Sequence, residues 1–218
     1  MKIHLITASL LLVSSAACKG EIEGGEEVEA KTAAPKKNNV VKLTTAVPYG
    51  KHLACEDVFP DTAIFTENIG DEIGSIKDKS ASNSSATVVC SMIRAGEPPS
   101  SPKELKTLED KYAKLGVLPG DEYCMVSAYC SLANDADSFR AECEKNGHQG
   151  GTLDGDFACV RATEKGVEYS YTYKFIEPDT KCVVEAMAGP SVNDEAMVRG
   201  CALAAKEAMT MASVANPK

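Results

Sequence analysis

Nine cysteines in a chain of 218 residues, eight of them at positions 55, 90, 124, 130, 143, 159, 182 and 201, restrict this sequence more than any other feature. In an oxidising compartment an even set of that kind closes into disulfides, and each closed loop stabilises the fold by narrowing the unfolded ensemble. Eight thiols allow roughly a hundred pairings, which spacing alone does not resolve. Chain order supplies the working expectation: Cys55 with Cys90, Cys124 with Cys130, Cys143 with Cys159, and Cys182 with Cys201. The last is the best motivated, because a strand and a helix adjoin there and Cys201 lies on the apolar stripe of that helix. The chain holds no Cys-x-x-Cys, the usual form of a reactive or haem-attaching pair, and no clustered Cys and His at zinc spacing.

The ninth cysteine, Cys18, has different surroundings. Residues 1–17, MKIHLITASLLLVSSAA, place Lys2 before an apolar run over 5–13 and then small residues, the layout of a secretory signal peptide too short to span a bilayer as a helix. The tetrad Ser15-Ala16-Ala17-Cys18 resembles the lipobox of bacterial lipoproteins. The resemblance implies that the signal is cut before Cys18, that the Cys18 thiol receives a diacylglycerol, and that acyl chains anchor the protein to a membrane. Ser15 departs from the family's preferred leucine, and Ser15-x-Ala17 also suits the ordinary signal peptidase, which would release a soluble protein. Parity favours lipidation, because removing Cys18 from the thiol pool leaves an even eight. Lys19 is not the aspartate that favours inner-membrane retention, so the expected location is the bacterial cell envelope, at the outer membrane rather than the inner.

After Cys18 the segment KGEIEGGEEVEAKTAAPKKNNVVKLTTA, residues 19–46, has no aromatic residue and few large apolar ones. Such a stretch does not bury enough surface to offset its ordering entropy, and it reads as a flexible tether with a mean span of roughly 30 Å. Its glutamates, Glu21, Glu23, Glu26, Glu27 and Glu29, read as a solvated, self-repelling run. Residues 47–218 then form one disulfide-rich domain holding 27 acidic and 17 basic side chains. That balance leaves no cationic footprint for phosphate, which excludes general nucleic-acid binding.

Periodicity predicts an α+β domain, an antiparallel meander packed with two or three helices. Ser101-Pro102-Lys103-Glu104 forms a capping box with a compatible proline, and Leu105, Leu108, Tyr112 and Leu115 recur at helical spacing until Gly116. A second helix is expected from about 191, with Met197, Cys201, Ala204, Ala205 and Ala208 on its apolar stripe, and a shorter one over 138–146. Val167, Tyr169, Tyr171, Tyr173 and Phe175 alternate with polar residues at a strict period of two, so one face of that strand is buried. Strands at 157–163 and 182–187 flank it. Residues 86–94 read as another strand, and 123–130 as a strand with a helix nearly as easy to defend. ATVVCSMIRAG resembles DFACVRATEKG, and GDEYCMVSAYC resembles GVEYSYTYKFI, a weak hint of internal duplication.

Chemistry-bearing motifs are sparse. His52 and His148 are the only histidines beyond the signal, each in an expected loop. Asp154-Gly155-Asp156 and Asn134-Asp135-Ala136-Asp137 lack the ligand series of a calcium loop and serve better as turns and caps. The Gly-rich run at 147–155 lacks the Gly-Lys-Ser/Thr of a phosphate loop, and neither Gly-x-Ser-x-Gly nor His-Glu-x-x-His occurs. No cofactor or metal site is expected, and no catalytic residue stands out. The Tyr169, Tyr171, Tyr173 stripe can line a ligand groove or form a core face with hydroxyls reaching the rim. The leading expectation is a membrane-tethered, non-catalytic binding or interaction module with an unidentified protein or small-molecule partner. An envelope enzyme of hydrolase type with an unrecognised site, or a structural envelope component, is the alternative.

Overall fold

In the computed structural model the chain is described over residues 52–112, 116–131, 133–165, 168–178 and 180–213. The expected signal peptide, Cys18 and the tether lie outside these residues, as do Leu115 and Val167. Seven strands build one fully antiparallel sheet: β1 (Ile73–Asp78), β2 (Val88–Arg94), β3 (Glu122–Cys130), β4 (Gln149–Leu153), β5 (Asp156–Lys165), β6 (Glu168–Glu177) and β7 (Cys182–Ala188). Their spatial order is β1-β2-β3-β7-β6-β5-β4. Two meanders therefore meet where β3 pairs with β7. Among the described residues five α-helices accompany them: α1 (Cys55–Val58), α2 (Ala63–Ile69), α3 (Pro102–Tyr112), α4 (Ala136–Lys145) and α5 (Glu195–Ser213). The domain is α+β with a disulfide-stapled antiparallel sheet, and the two short helices before β1 add to those expected from periodicity.

The pleat sorts side chains onto two faces. Cys90, Val126, Ala186, Tyr173 and Val160 stand side by side across five strands. They belong to the main core with Val88, Met92, Cys124 and Phe175, beneath α5. That helix is buried over more than a stripe: Val198, Cys201, Ala202, Ala204, Ala205, Ala208 and Met209 are all inaccessible or nearly so. Small residues let it approach both the sheet and α2. A Cβ on Gly200 would lie 2.3 Å from the Asn68 carbonyl oxygen, so only glycine fits at that crossing. On the opposite face the row Ser127, Glu185, Lys174, Cys159 and Gly150 is more polar. There α4 covers one end through a satellite core of Phe139, Cys143 and Cys159, with Phe157, Ile176 and Val183 packed against it.

All eight cysteines of the domain are bonded. Cys55 pairs with Cys90 and Cys143 with Cys159, while Cys124 pairs with Cys201 and Cys130 with Cys182. The expected Cys124–Cys130 and Cys182–Cys201 bridges are thereby corrected. Cys124 and Cys130 both sit on β3, where six residues of extended chain span roughly 20 Å, far beyond disulfide reach. The β3–β7 register sets Cys130 directly opposite Cys182, with Cα atoms 4.0 Å apart. Cys201 lies over Cys124, not over the start of β7.

Of the remaining expectations, residues 122–130 are a strand. The helix beginning at the Ser101 capping box is α3; Glu104 closes the box on Ser100 and accepts from its N–H, while Ser101 Oγ accepts from the Glu104 N–H. Its Leu105 and Leu108 are half-buried rather than core. α4 begins two residues earlier than expected, because Asp135 is its cap and accepts from the Asp137 and Ser138 N–H groups. The Gly-rich run is not all loop, since Gln149–Leu153 is the edge strand β4. For the two resembling segment pairs, Val88 and Ala158 share the core face, but Val126 faces the core where its counterpart Thr172 faces away.

Candidate functional site

Among the described residues two concavities carry polar groups, one beside the edge strand β1 and one on the polar face of the sheet beneath α4. The larger, about 360 Å³, lies between α1, the turn after it, and the edge strand β1, and is lined by Ala54, Cys55, Glu56, Phe59, Pro60, Thr62, Ile76 and Asp78. Its position follows from how α1 is fastened. Leu53 N–H donates to the Thr87 carbonyl, His52 Nδ1 lies 3.0 Å from the Ala86 carbonyl, and the Cys55–Cys90 disulfide ties the first helical residue to β2. Phe59 then turns inward and meets Phe65 edge to face, with ring centroids 5.5 Å apart. The chain so held leaves an open cleft against Ile76 and Asp78.

Two carboxylates, Glu56 from α1 and Asp78 from β1, stand on this cleft, and neither forms an ion pair among the described residues. Partial burial disfavours the charged form of Asp78, but hydrogen bonds from the Ser80 N–H and hydroxyl and from the Cys55 N–H, with His52 nearby, outweigh it. Its carboxyl is held below the usual carboxylate range. The Ser80 N–H approaches to 2.8 Å. Apolar walls of Phe59, Pro60 and Ile76 with fixed negative charge at the mouth suit a group with an apolar stem and a cationic head.

The second concavity is a slot of about 70 Å³ beneath α4, lined by Phe139, Glu142, Cys143, Asn146, His148, Cys159, Lys174 and Val183. His148, placed by the turn after α4, has a buried Nδ1 with no hydrogen-bond partner among the described residues. Burial, then the charges of Lys174 and Arg161, push its imidazole below the usual histidine range against the opposing pull of Glu185. Lys174 is occupied by Glu185 at 3.1 Å. The slot holds about two water molecules at roughly 30 Å³ each, too little for an organic substrate. Its two cysteines are bonded to each other and offer no thiolate.

Of the tyrosine stripe, Tyr173 and Tyr171 belong to the core side of the sheet. Tyr173 is 3% exposed in the main core and donates to Glu195 at the start of α5 over 2.6 Å, and Tyr171 packs against the same core. The Tyr169 side chain lies outside the described residues. Burial, followed by the Glu195 contact, raises the Tyr173 hydroxyl far above the usual tyrosine range. Asp154 and Asp156, weighed as calcium ligands, instead flank Lys206 of α5 at 3.7 and 2.7 Å and fasten the β4–β5 turn to the helix. Among the described residues no group of three or more His, Cys, Asp or Glu is placed to hold a metal ion, and no helix is long and apolar enough to cross a membrane. Sequence reasoning missed Glu56 and Asp78, which share no motif and come together only through the packing of α1 on β1.

No family model matches this chain, and no curated protein or solved structure matches it either.

Proposed function

We propose that this chain is a lipid-anchored protein of a bacterial envelope whose α+β domain acts as a binding module at the end of a flexible tether. The observation that carries the reading is the cysteine account. The eight cysteines of the domain are consumed in four disulfides, which leaves Cys18 alone at the lipobox-like sequence. A protein with that many bridges belongs in an oxidising compartment, and a lone thiol beside a signal peptide is suited to acylation.

The binding role is supported by the α1–β1 cleft. It has apolar walls and two carboxylates without ion-pair partners among the described residues, whereas the tighter His148 slot lacks the volume for a substrate. No nucleophile, base and oxyanion donor converge in either concavity, so a contact surface accounts for the geometry better than a reaction centre.

Expression of the full chain and of Cys18→Ala in a bacterium fed an alkyne-tagged fatty acid tests the anchor. Label on the wild type, no label on C18A, and release of C18A from the membrane fraction are the expected results. An unlabelled wild type in the soluble fraction would overturn the anchored reading.

A further inference from the structure

We propose that the outer edge of β1 pairs with an extended segment of a partner protein, and that the neighbouring cleft receives a Lys or Arg side chain of that segment. This inference rests on the binding-module reading and assigns that module a partner chemistry.

The first observation is the edge itself. Among the described residues β1 is the terminal strand of the sheet, bonded to β2 on one side only. No backbone hydrogen bond among the described residues reaches the outer side of Ser75, Ile76, Lys77 or Asp78. An edge left in this state is a template for another strand. The register slip between Ile73 and Ser75 confines regular pairing to the stretch from Ser75 to Asp78, so the added segment is short.

The second observation is where the cleft lies relative to that edge. Ile76 and Asp78, alternate residues of β1, line it from the strand side, and Glu56 and Phe59 line it from α1. A strand added about 4.8 Å beyond β1 would carry every second side chain over the cleft. A lysine or arginine there would lay its methylenes on Phe59, Pro60 and Ile76 and bring its charge to Glu56 and Asp78. Both carboxylates are exposed and free of ion pairs within the described residues, so no internal cation has to be displaced.

The third observation supplies the opposite face. Lys77 alternates away from the cleft and pairs in register with Ser91 on the other side of the sheet. Lysine at an edge discourages indiscriminate strand addition. Here it also disfavours a second basic residue on that face of the incoming segment. The preferred segment is therefore basic on the cleft side, with β-branched, neutral or acidic neighbours on the other.

Panning random phage-displayed heptapeptides on the full chain in detergent micelles tests this directly. The expected outcome is enrichment of peptides with one Lys or Arg flanked by β-branched residues. A synthetic member should shift the backbone amide resonances from Ile73 to Asp78. Its affinity should fall about tenfold in Glu56→Gln/Asp78→Asn, the loss expected for a charge-assisted contact. Glu56 is exposed, and an asparagine in place of Asp78 keeps one oxygen to accept from the Ser80 N–H; an unchanged thermal midpoint of the double variant verifies that the loss is of charge and not of fold. Millimolar n-butylamine should compete weakly, because it supplies the cation without the strand. Equal competition by butylamine and peptide would assign the cleft to small amines and overturn the edge-pairing claim. Binding that maps elsewhere would also overturn it while leaving the binding-module reading in place, and no enrichment at all would count against both claims.

Discussion

Cys201, in the middle of α5, is bonded to Cys124 on β3, so the last helix of the chain is covalently fastened to a central strand 77 residues earlier. Hydrophobic burial of α5 and this bridge act at the same place. By loop-closure entropy a bridge of that span contributes about 4.5 kcal/mol, against about 3 kcal/mol for the 16-residue loop of Cys143–Cys159. Replacing Cys124 and Cys201 together by Ser is expected to lower the denaturant midpoint more than replacing Cys143 and Cys159. The order of the two midpoints, measured by circular dichroism at fixed protein concentration, checks the relationship.

The crossing of α5 and α2 is equally specific. Gly200→Ala places a methyl group against the Asn68 carbonyl, and two backbones must separate to admit it. Overpacking of that kind costs about 1–3 kcal/mol, which outweighs alanine's better helix propensity of about 1 kcal/mol. Thermal unfolding should show a lower midpoint for the variant. An unchanged or raised midpoint would mean that the helices yield.

The imidazole of His148 ties stability to pH. Burial first, then Lys174 and Arg161, depress its proton affinity in the fold. The unfolded chain takes up that proton near about pH 6.5, before the folded chain does. Stabilisation by neutral His148 is therefore complete above that value and is lost as the pH falls through the lower folded value. Between about pH 7.5 and pH 5 the thermal midpoint of the wild type should drop further than that of His148→Asn, and the His148 ring resonances should titrate below the ordinary histidine value of about 6.5.

These features were unequally legible in the sequence. Alternation from Val167 to Phe175 marked β6 because one face packs on α5 and the other does not. β1 was hidden, since IGSIKD carries only two apolar residues and the slip between Ile73 and Ser75 breaks the period. β4 was hidden for a related reason: Gly150 and Gly151 bear no side chains to alternate. The pairings of Cys124 and Cys130 depend on β3 lying beside β7 and beneath α5, a tertiary fact that chain order does not encode. The candidate cleft shares that property, because Glu56 belongs to a four-residue helix and Asp78 to an edge strand. His148 was visible as a residue, but its buried Nδ1 depends on α4 folding over β5.

The measurement that bears most directly on the account is the intact mass of the membrane-extracted protein, taken with and without reduction before thiol alkylation. The account predicts a chain beginning at Cys18 and heavier by acyl groups, with no alkylation before reduction and eight alkylated cysteines after it. A chain without lipid, or one with free thiols among the eight domain cysteines before reduction, would contradict it.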